Sequence, residues 1–593
     1  MAHRLFALSY FEGIFPHNIH NNENEEVILR AQRVNTILIL AACLLMSACG
    51  SDTGKPPAAA AESDRTLKIG IAQYPSNWHP NIENSVAKSY VLAMVTRPLT
   101  HFDHSWQNAC MICETLPSLE NGLAVLETTP DGKPGVAVTF TLREGLTWGD
   151  GEPVTSRDAR FTWEVGSHSM SGTNARENYR SIYAFDVIDD RTFTIHRDRQ
   201  TLGYATLPLF MLLPEHIERP IFEANPVEYR KRNSFDADPA NPGLFYGPYL
   251  IDSVERGSQV VLKRNPHWNG REPYFDKIIV RFIERTTTLE ANLLSGEIDM
   301  IPGELGLQVD QALAFEKRHG DDYNIIFKTG SFYEHIDLRL ENPILADKRV
   351  RKALLYALDR DELVNQLFDG RQTVAHSPIP IEDVAYFPDL PRYEHDPSRA
   401  AALLDEAGWL LKPGNDIRSN TAGEPLRIDF ITTAGDKTRE LTAQVVQAQW
   451  RELGIDIRIR NETPRVMFAQ SLSERKFTGM AMYAWSQSPE PVPRATMHST
   501  QIPSPENNFS GQNYTGFSNP RVDNLITQLE NTLVLEDRLP LWREIQEIYI
   551  EEAHVLPLMF RANPYILPKW LQGVRPTGHY HSSTLWIEEW HRE

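Results

Sequence analysis

In VTFTLREGLTWGDGEPVTSRDARFTWE, residues 138–164, three kinds of local structure follow one another without a gap. Val138–Leu142 alternates apolar and polar residues, the pattern of a half-buried strand. Residues 149–153, GDGEP, are turn chemistry: the glycines are free to take positive φ, and Pro153 sets the exit. Thr155 then stands where a helix would begin, with Asp158 three positions on, a capping-box arrangement for the run that follows. Trp148 and Trp163 fit packing positions around this turn better than ligand contacts.

The same vocabulary recurs along the chain. LKIGIA (67–72) and TFTIH (192–196) read as strands. LRIDFI (426–431), KTRELTAQVVQAQWREL (437–453) and IDIRI (455–459) form a strand–helix–strand sequence, with Gly454 as the helix stop. That spacing predicts a parallel βαβ unit. DPSRAAALLDEAGW (396–409) is a helix with Asp396 as cap, Pro397 in the first turn and Gly408 at the end. DKRVRKALLYALDRDELV (347–364) places Val350, Leu354, Ala357 and Leu358 on one helical face. The fold class is therefore α/β, without internal repeat or coiled coil.

At 593 residues, the chain is long enough for several domains of roughly 150 residues. Its net charge of −20 and the lack of a basic stripe argue against nucleic acid as a partner. Near the N-terminus, Arg30 and Arg33 precede a short apolar run ending in LLMSAC (44–49). Such a run suits a signal peptide and is too short for a bilayer span. LLMSAC resembles the lipobox of bacterial lipoproteins, with Met46 in place of the usual leucine, which makes Cys49 the lipidated residue. Residues 1–29 are polar and acidic where a signal would start short and basic, so translation is expected to begin nearer residue 27. After Cys49, GSDTGKPPAAAAESD is a tether. No later segment carries about twenty uninterrupted apolar residues.

Cys43 leaves with the signal, so Cys110 and Cys113 remain, and outside the cytosol they are expected to form a disulfide. A redox pair, or a zinc set completed by His101 and His104, are the alternatives. HYHS (579–582) is expected at the surface. No compact metal-ligand motif appears, so neither a metal nor a cofactor is expected. No G-x-S-x-G or H-E-x-x-H occurs, which argues against a hydrolytic enzyme.

Seven stretches, taken together, resemble the family 5 extracellular solute-binding proteins, the dipeptide/oligopeptide-binding class of ABC importers. They are residues 138–164; GPYLI (247–251) with LKRNPHW (262–268); LLSGEIDM (293–300); ENPILADKRVRKALLYALDR (341–360); AALLDEAGW (401–409); GFSNPRVDNLI (516–526); and LPL (556–558). They run in the family's order across nearly all of residues 66–575. The resemblance implies a periplasmic-binding-protein fold of two lobes with a ligand cleft at the hinge. Lobe I would comprise 66–103, 244–328 and 558–593, with an inserted subdomain at 104–243. Lobe II would be 329–557, after an extension and signal at 1–48 and a tether at 49–65. It implies a monomeric, non-catalytic lipoprotein outside the cytoplasm that passes a small-molecule or peptide ligand to ABC permease subunits and touches the membrane only through its lipid. A secreted enzyme or a non-transport receptor on the same scaffold is the alternative.

In relatives that bind peptides, a lobe II loop offers an aspartate to the peptide ammonium a few residues after a tryptophan. Here that loop resembles AWSQSPEPVPRA (484–495), with Trp485 as the tryptophan and Ser488 three positions on. Glu490-Pro491 stands where the family has Asp-Pro. The charged anchor is missing, and burying an ammonium without a carboxylate costs several kcal/mol. Trp485, Ser488, Tyr483 and Arg494 are the ligand candidates from this lobe. Tyr74, Asn77 and Trp78, in QYPSNWHP (73–80), are those from lobe I; Tyr333 and His335 cross the expected hinge.

Overall fold

The computed structural model describes residues 65–83, 85–173, 176–207 and 210–593. The signal, Cys43, Cys49 and the tether through residue 64 lie outside the described residues.

The stretch that opens with Val138 folds as its residues dictate. Strand Pro134–Thr141 lies inside a four-stranded antiparallel sheet, between Ala124–Thr128 and Thr192–Arg197, with Ile182–Val187 at the edge. In the turn, the Trp148 N–H donates to the Glu152 carbonyl at 2.8 Å, and Gly151 takes φ +93°. The Thr155 N–H donates to the Asp158 carboxylate at 2.7 Å, closing the cap of helix Ser156–Ser167. The other Asp158 oxygen accepts the Glu215 N–H at 2.9 Å, so the cap also ties in helix Glu215–Ala224. Trp148 is fully buried against Tyr246, and Trp163 stacks on Phe185. Both tryptophans hold the scaffold.

Lobe I is built on a second sheet. Thr66–Ile71 pairs in parallel with Lys277–Phe282, followed by Gln259–Arg264 and Tyr249–Glu255 in antiparallel order. Lobe II carries a six-stranded sheet in which Arg427–Thr433 pairs in parallel with Asp456–Glu462, joined by helix Lys437–Glu452. Gly454 stops that helix at φ +79°, and buried Trp450 donates its indole N–H to the Leu354 carbonyl at 2.9 Å. Residues 347–364 form two helices, Lys348–Tyr356 and Arg360–Phe368, and Val350, Leu354, Ala357 and Leu358 are all buried in one core. The Asp359 carboxylate caps the second by accepting the Glu362 N–H at 2.8 Å. Gln449 holds the break by bonding both the N–H and the carbonyl of Asp359. A cap with a tertiary partner outcompetes a short continuation of helix.

Two long antiparallel strands, Tyr323–Leu338 and Val555–Pro568, run through both lobes. Tyr565 and Leu567 of the second strand pack in the lobe I core, while Leu556, Leu558 and Met559 pack in that of lobe II. The ladder is interrupted between Thr329 and Tyr333, so the crossover sits there. Beside it lies an ion network: buried Glu334 receives Arg439 at 2.7 Å and Arg561 at 2.6 Å, and Arg561 also reaches Asp436 at 3.4 Å.

Candidate functional site

Strand Met480–Ser486 pairs with the crossover strand, setting Trp485 opposite Tyr333 and Ser486 opposite Phe332. AWSQSPEPVPRA therefore leaves the sheet at the point where the chain changes lobe. Proline removes the donors a strand would need, and the loop is fastened by other bonds instead. The Gln487 N–H donates to the Ser331 carbonyl at 2.9 Å, and the Glu490 N–H to the Asp383 carboxylate at 2.9 Å. The Pro491 carbonyl accepts the Trp542 indole N–H at 2.9 Å. Glu490 holds a left-handed φ of +52°, a conformation sustained only where surroundings over-determine it.

The loop is the common wall of two cavities. One, of about 210 Å³, lies within lobe II and is lined by Tyr333, His335, Asp337, Trp485, Tyr549 and His554 among others. The second, of about 700 Å³, lies between the lobes. Its walls come from Phe102 and Tyr580, from Arg197, Arg199 and Thr206 beyond them, and from Ser488, Glu490, Arg494 and Arg538. Ser488 and Val492 face both.

Trp485 lines the lobe II cavity in an aromatic group, 5.5 Å edge-on to Tyr483 and 6.3 Å stacked on Tyr514. Tyr483 lies beneath it, fully buried, its hydroxyl donating to the Asp337 carboxylate at 2.5 Å. Burial, with Asp337 beside it, pushes the Tyr483 hydroxyl well above its ordinary range. Tyr333 is also buried, donating or accepting at Tyr549 over 2.8 Å and stacked on His335. Arg494 grips Glu530 bidentately at 2.5 and 2.6 Å, so its fork serves an intra-lobe pair. Tyr74, Asn77 and Trp78 are not brought to this place. They line a separate depression within lobe I, where Trp78 is buried, its N–H donating to Asp236, and Tyr74 packs edge-on to Phe282.

Sequence reading missed four side chains here. His554 is buried in the lobe II cavity, stacked on Phe517, with neither ring nitrogen hydrogen-bonded. Burial, helped by Arg351, lowers its pKa to about 3, so the ring is neutral. Gln546 shares that cavity, with its carbonyl oxygen unpartnered. Arg197 and Arg538 belong to the inter-lobe cavity. No motif marks these residues; Arg197 merely ends a strand and Arg538 lies within a helix, Leu535–Glu552.

Two expectations elsewhere are decided by the surroundings. Cys110 and Cys113 are joined in a disulfide, which leaves no thiolate for the zinc set with His101 and His104. HYHS is only partly at the surface: Tyr580 is exposed, but His579 is buried against Trp106, its Nε2 lies 3.0 Å from the Asp103 carbonyl, and burial lowers its pKa to about 4. The segment packs there because it covers the lobe I strand Thr100–Phe102 with aromatic rings.

Residues 119–505 match the bacterial extracellular solute-binding proteins, family 5 (middle part). The oligopeptide-binding protein AppA of Bacillus subtilis (strain 168) is 24% identical over 563 residues, 91% of this chain and 95% of that protein. The fold is similar to that of an oligopeptide-binding protein from Thermus thermophilus complexed with a pentapeptide: TM-score 0.65, 28% identity, 89% of this chain and 96% of that one. It is similar also to NikA from Brucella suis in complex with Fe(III)-EDTA: TM-score 0.71, 21% identity, 89% and 100% covered.

Proposed function

Because the chain belongs to the family 5 bacterial extracellular solute-binding proteins, and so is the substrate-binding component of an ABC importer, we propose that it captures a peptide-like or other small organic solute on the loop 484–495 and delivers it unchanged to membrane permease subunits. The observation that carries this reading is the position of the loop. It is rooted at the crossover and faces a cavity whose walls come from both lobes. A ligand that touches both lobes favours the closed arrangement, since ligand shifts an equilibrium only by its differential affinity for the two states. Trp485 supplies a stacking face and Ser488 a neutral hydroxyl. With no carboxylate at 488, a free peptide ammonium has no partner there, so N-blocked, modified or longer peptides and non-peptide solutes fit better than free dipeptides.

Native mass spectrometry of protein purified without denaturation, paired with thermal melting, tests the reading. Cargo recovered chemically intact, and a melting temperature that rises with added cargo as RT ln(1 + [L]/Kd), are the expected results. Turnover of the bound compound would refute it. We propose further that Cys49 anchors the chain by lipid outside the cytoplasm; Cys49→Ala should then leave the membrane fraction. Among the described residues, no helix is long and apolar enough to cross a membrane.

A further inference from the structure

The disulfide between Cys110 and Cys113 spans a turn that other bonds already hold. The Leu99 carbonyl accepts the Met111 N–H at 3.1 Å and the Ile112 N–H at 3.4 Å, and the Ile112 carbonyl accepts the Arg143 N–H at 2.8 Å. The Arg143 side chain adds two more bonds, from Nε to the Cys113 carbonyl at 3.1 Å and from Nη2 to the Cys110 carbonyl at 3.4 Å. Strands Thr100–Phe102 and Asn108–Cys110 pair just ahead of the turn. With a sequence separation of 3, the bridge closes a loop so short that it removes little freedom from the unfolded chain, because that effect grows with loop length. What the bridge adds beyond stability is its chemistry.

The two sulfurs are placed unequally. Cys110 is partly exposed and lines a cavity of about 450 Å³, whereas Cys113 is fully buried behind it. This cavity stands apart from the cleft: its walls come from residues 97–146, 268–271 and 586–588, and none from lobe II. Its charged lining is three guanidinium groups, Arg97, Arg143 and Arg271, against two carboxylates, Glu144 and Glu588. Glu588 is paired with Arg97 at 2.6 Å, so positive charge predominates around the reachable sulfur. His101, 8% exposed, lines the same cavity with its Nδ1 unpartnered. On the buried side, Cys113 Sγ lies 3.3 Å from the Leu99 carbonyl oxygen, a contact that is a hydrogen bond only when the sulfur carries a proton.

We propose that this cavity receives a small thiol bearing a second, negatively charged group, and that the thiol opens the disulfide at Cys110. The ligand's thiolate sulfur attacks Cys110 Sγ and forms a new S–S bond. The Cys110–Cys113 bond breaks, and its electron pair leaves on Cys113 Sγ, which takes a proton from water. The ligand thiol is oxidised into a mixed disulfide on Cys110, and Cys113 is reduced to a thiol. Burial sets the direction, since only Cys110 is open to attack, and the Leu99 carbonyl receives the proton of the released Cys113. Guanidinium charge draws in both the thiolate and the second anionic group. Because backbone bonds hold the turn, the fold survives the opening. The inference is independent of the cargo reading.

Reaction of the native full chain with 2-mercaptoethanesulfonate or cysteamine, at matched thiolate concentration, tests this by intact mass and peptide mapping after an acid quench. One ligand on Cys110, a free Cys113, and a rate roughly threefold or more higher for the sulfonate are the expected results. Arg271→Gln, at an exposed position, should shrink that ratio with the melting temperature unmoved. Equal rates would overturn the anionic class of the ligand. A disulfide that stays closed in the native chain while the unfolded chain reacts would overturn the site, as would ligand found on Cys113. If the adduct is reduced onward before isolation, Cys113→Ser treated with the symmetrical disulfides of the two reagents decides: faster uptake of the sulfonate at Cys110 upholds the site, and no uptake overturns it.

Discussion

The two cavities on either side of the 484–495 loop differ in who builds them. The smaller is enclosed by lobe II alone: sheet residues Tyr333 and Asp337, the loop, and helix residues such as Trp542 and Tyr549. The larger draws its walls from lobe I, the inserted subdomain and lobe II. A contact made inside one lobe is equally available whether the lobes are near or apart, so it adds affinity without favouring either state. Only contacts that span the lobes carry differential affinity, and they alone can bias closure. Aromatic area sits on the first side, guanidinium charge on the second. The loop thus separates tightness from switching.

The largest test strikes the frame shared by both cavities. Glu334→Ala leaves Arg439 and Arg561 without their buried carboxylate at the crossover, and should lower unfolding free energy by about 3–5 kcal/mol in a denaturant titration. A loss under ~1 kcal/mol would mean the network is solvated and the crossover is held by its strands alone. Next, Trp485→Ala should weaken cargo binding by about 1–3 kcal/mol, measured calorimetrically. An unchanged affinity would make the ring a packing residue and erase the distinction drawn between the two sides. The smallest effect concerns the floor of the lobe II cavity. His554 has a folded pKa of about 3 against 6.5 in the open chain, so the unfolded state takes up its proton first as pH falls. Its contribution is present above pH 6.5 and is lost progressively toward pH 3. His554→Phe, which keeps the stack on Phe517, should flatten that acid limb by up to about 1.4 kcal/mol per pH unit. An unchanged slope would show that the ring is not buried neutral.

Much of the scaffold was legible because its signals are local. The Thr155–Asp158 cap and the positive-φ glycines at 151 and 454 follow from residues within a turn of one another, and the parallel unit over 427–462 from its strand–helix–strand spacing. The loop itself was legible from its prolines and Trp485. Where reading went astray, a distant partner had intervened. The Thr100–Phe102 strand covers His579 of HYHS, and packing in the core of the Thr66–Ile71 sheet buries Trp78. Arg494 presents the same guanidinium in either setting, and only the approach of Glu530 on the neighbouring helix assigns it to an internal pair.

The amino-acid sequence by itself determined the α/β class, the order of elements and the proline-rich loop, since each is a matter of residue type and short spacing; that a carboxylate is missing at Ser488 followed only from the family resemblance. Which groups share a cavity was decided by the tertiary structure. Arg197 and Arg538 lie far apart along the chain, and no periodicity links a strand end to a helix interior. They line one cavity only because two strands carry the chain from one lobe to the other and back.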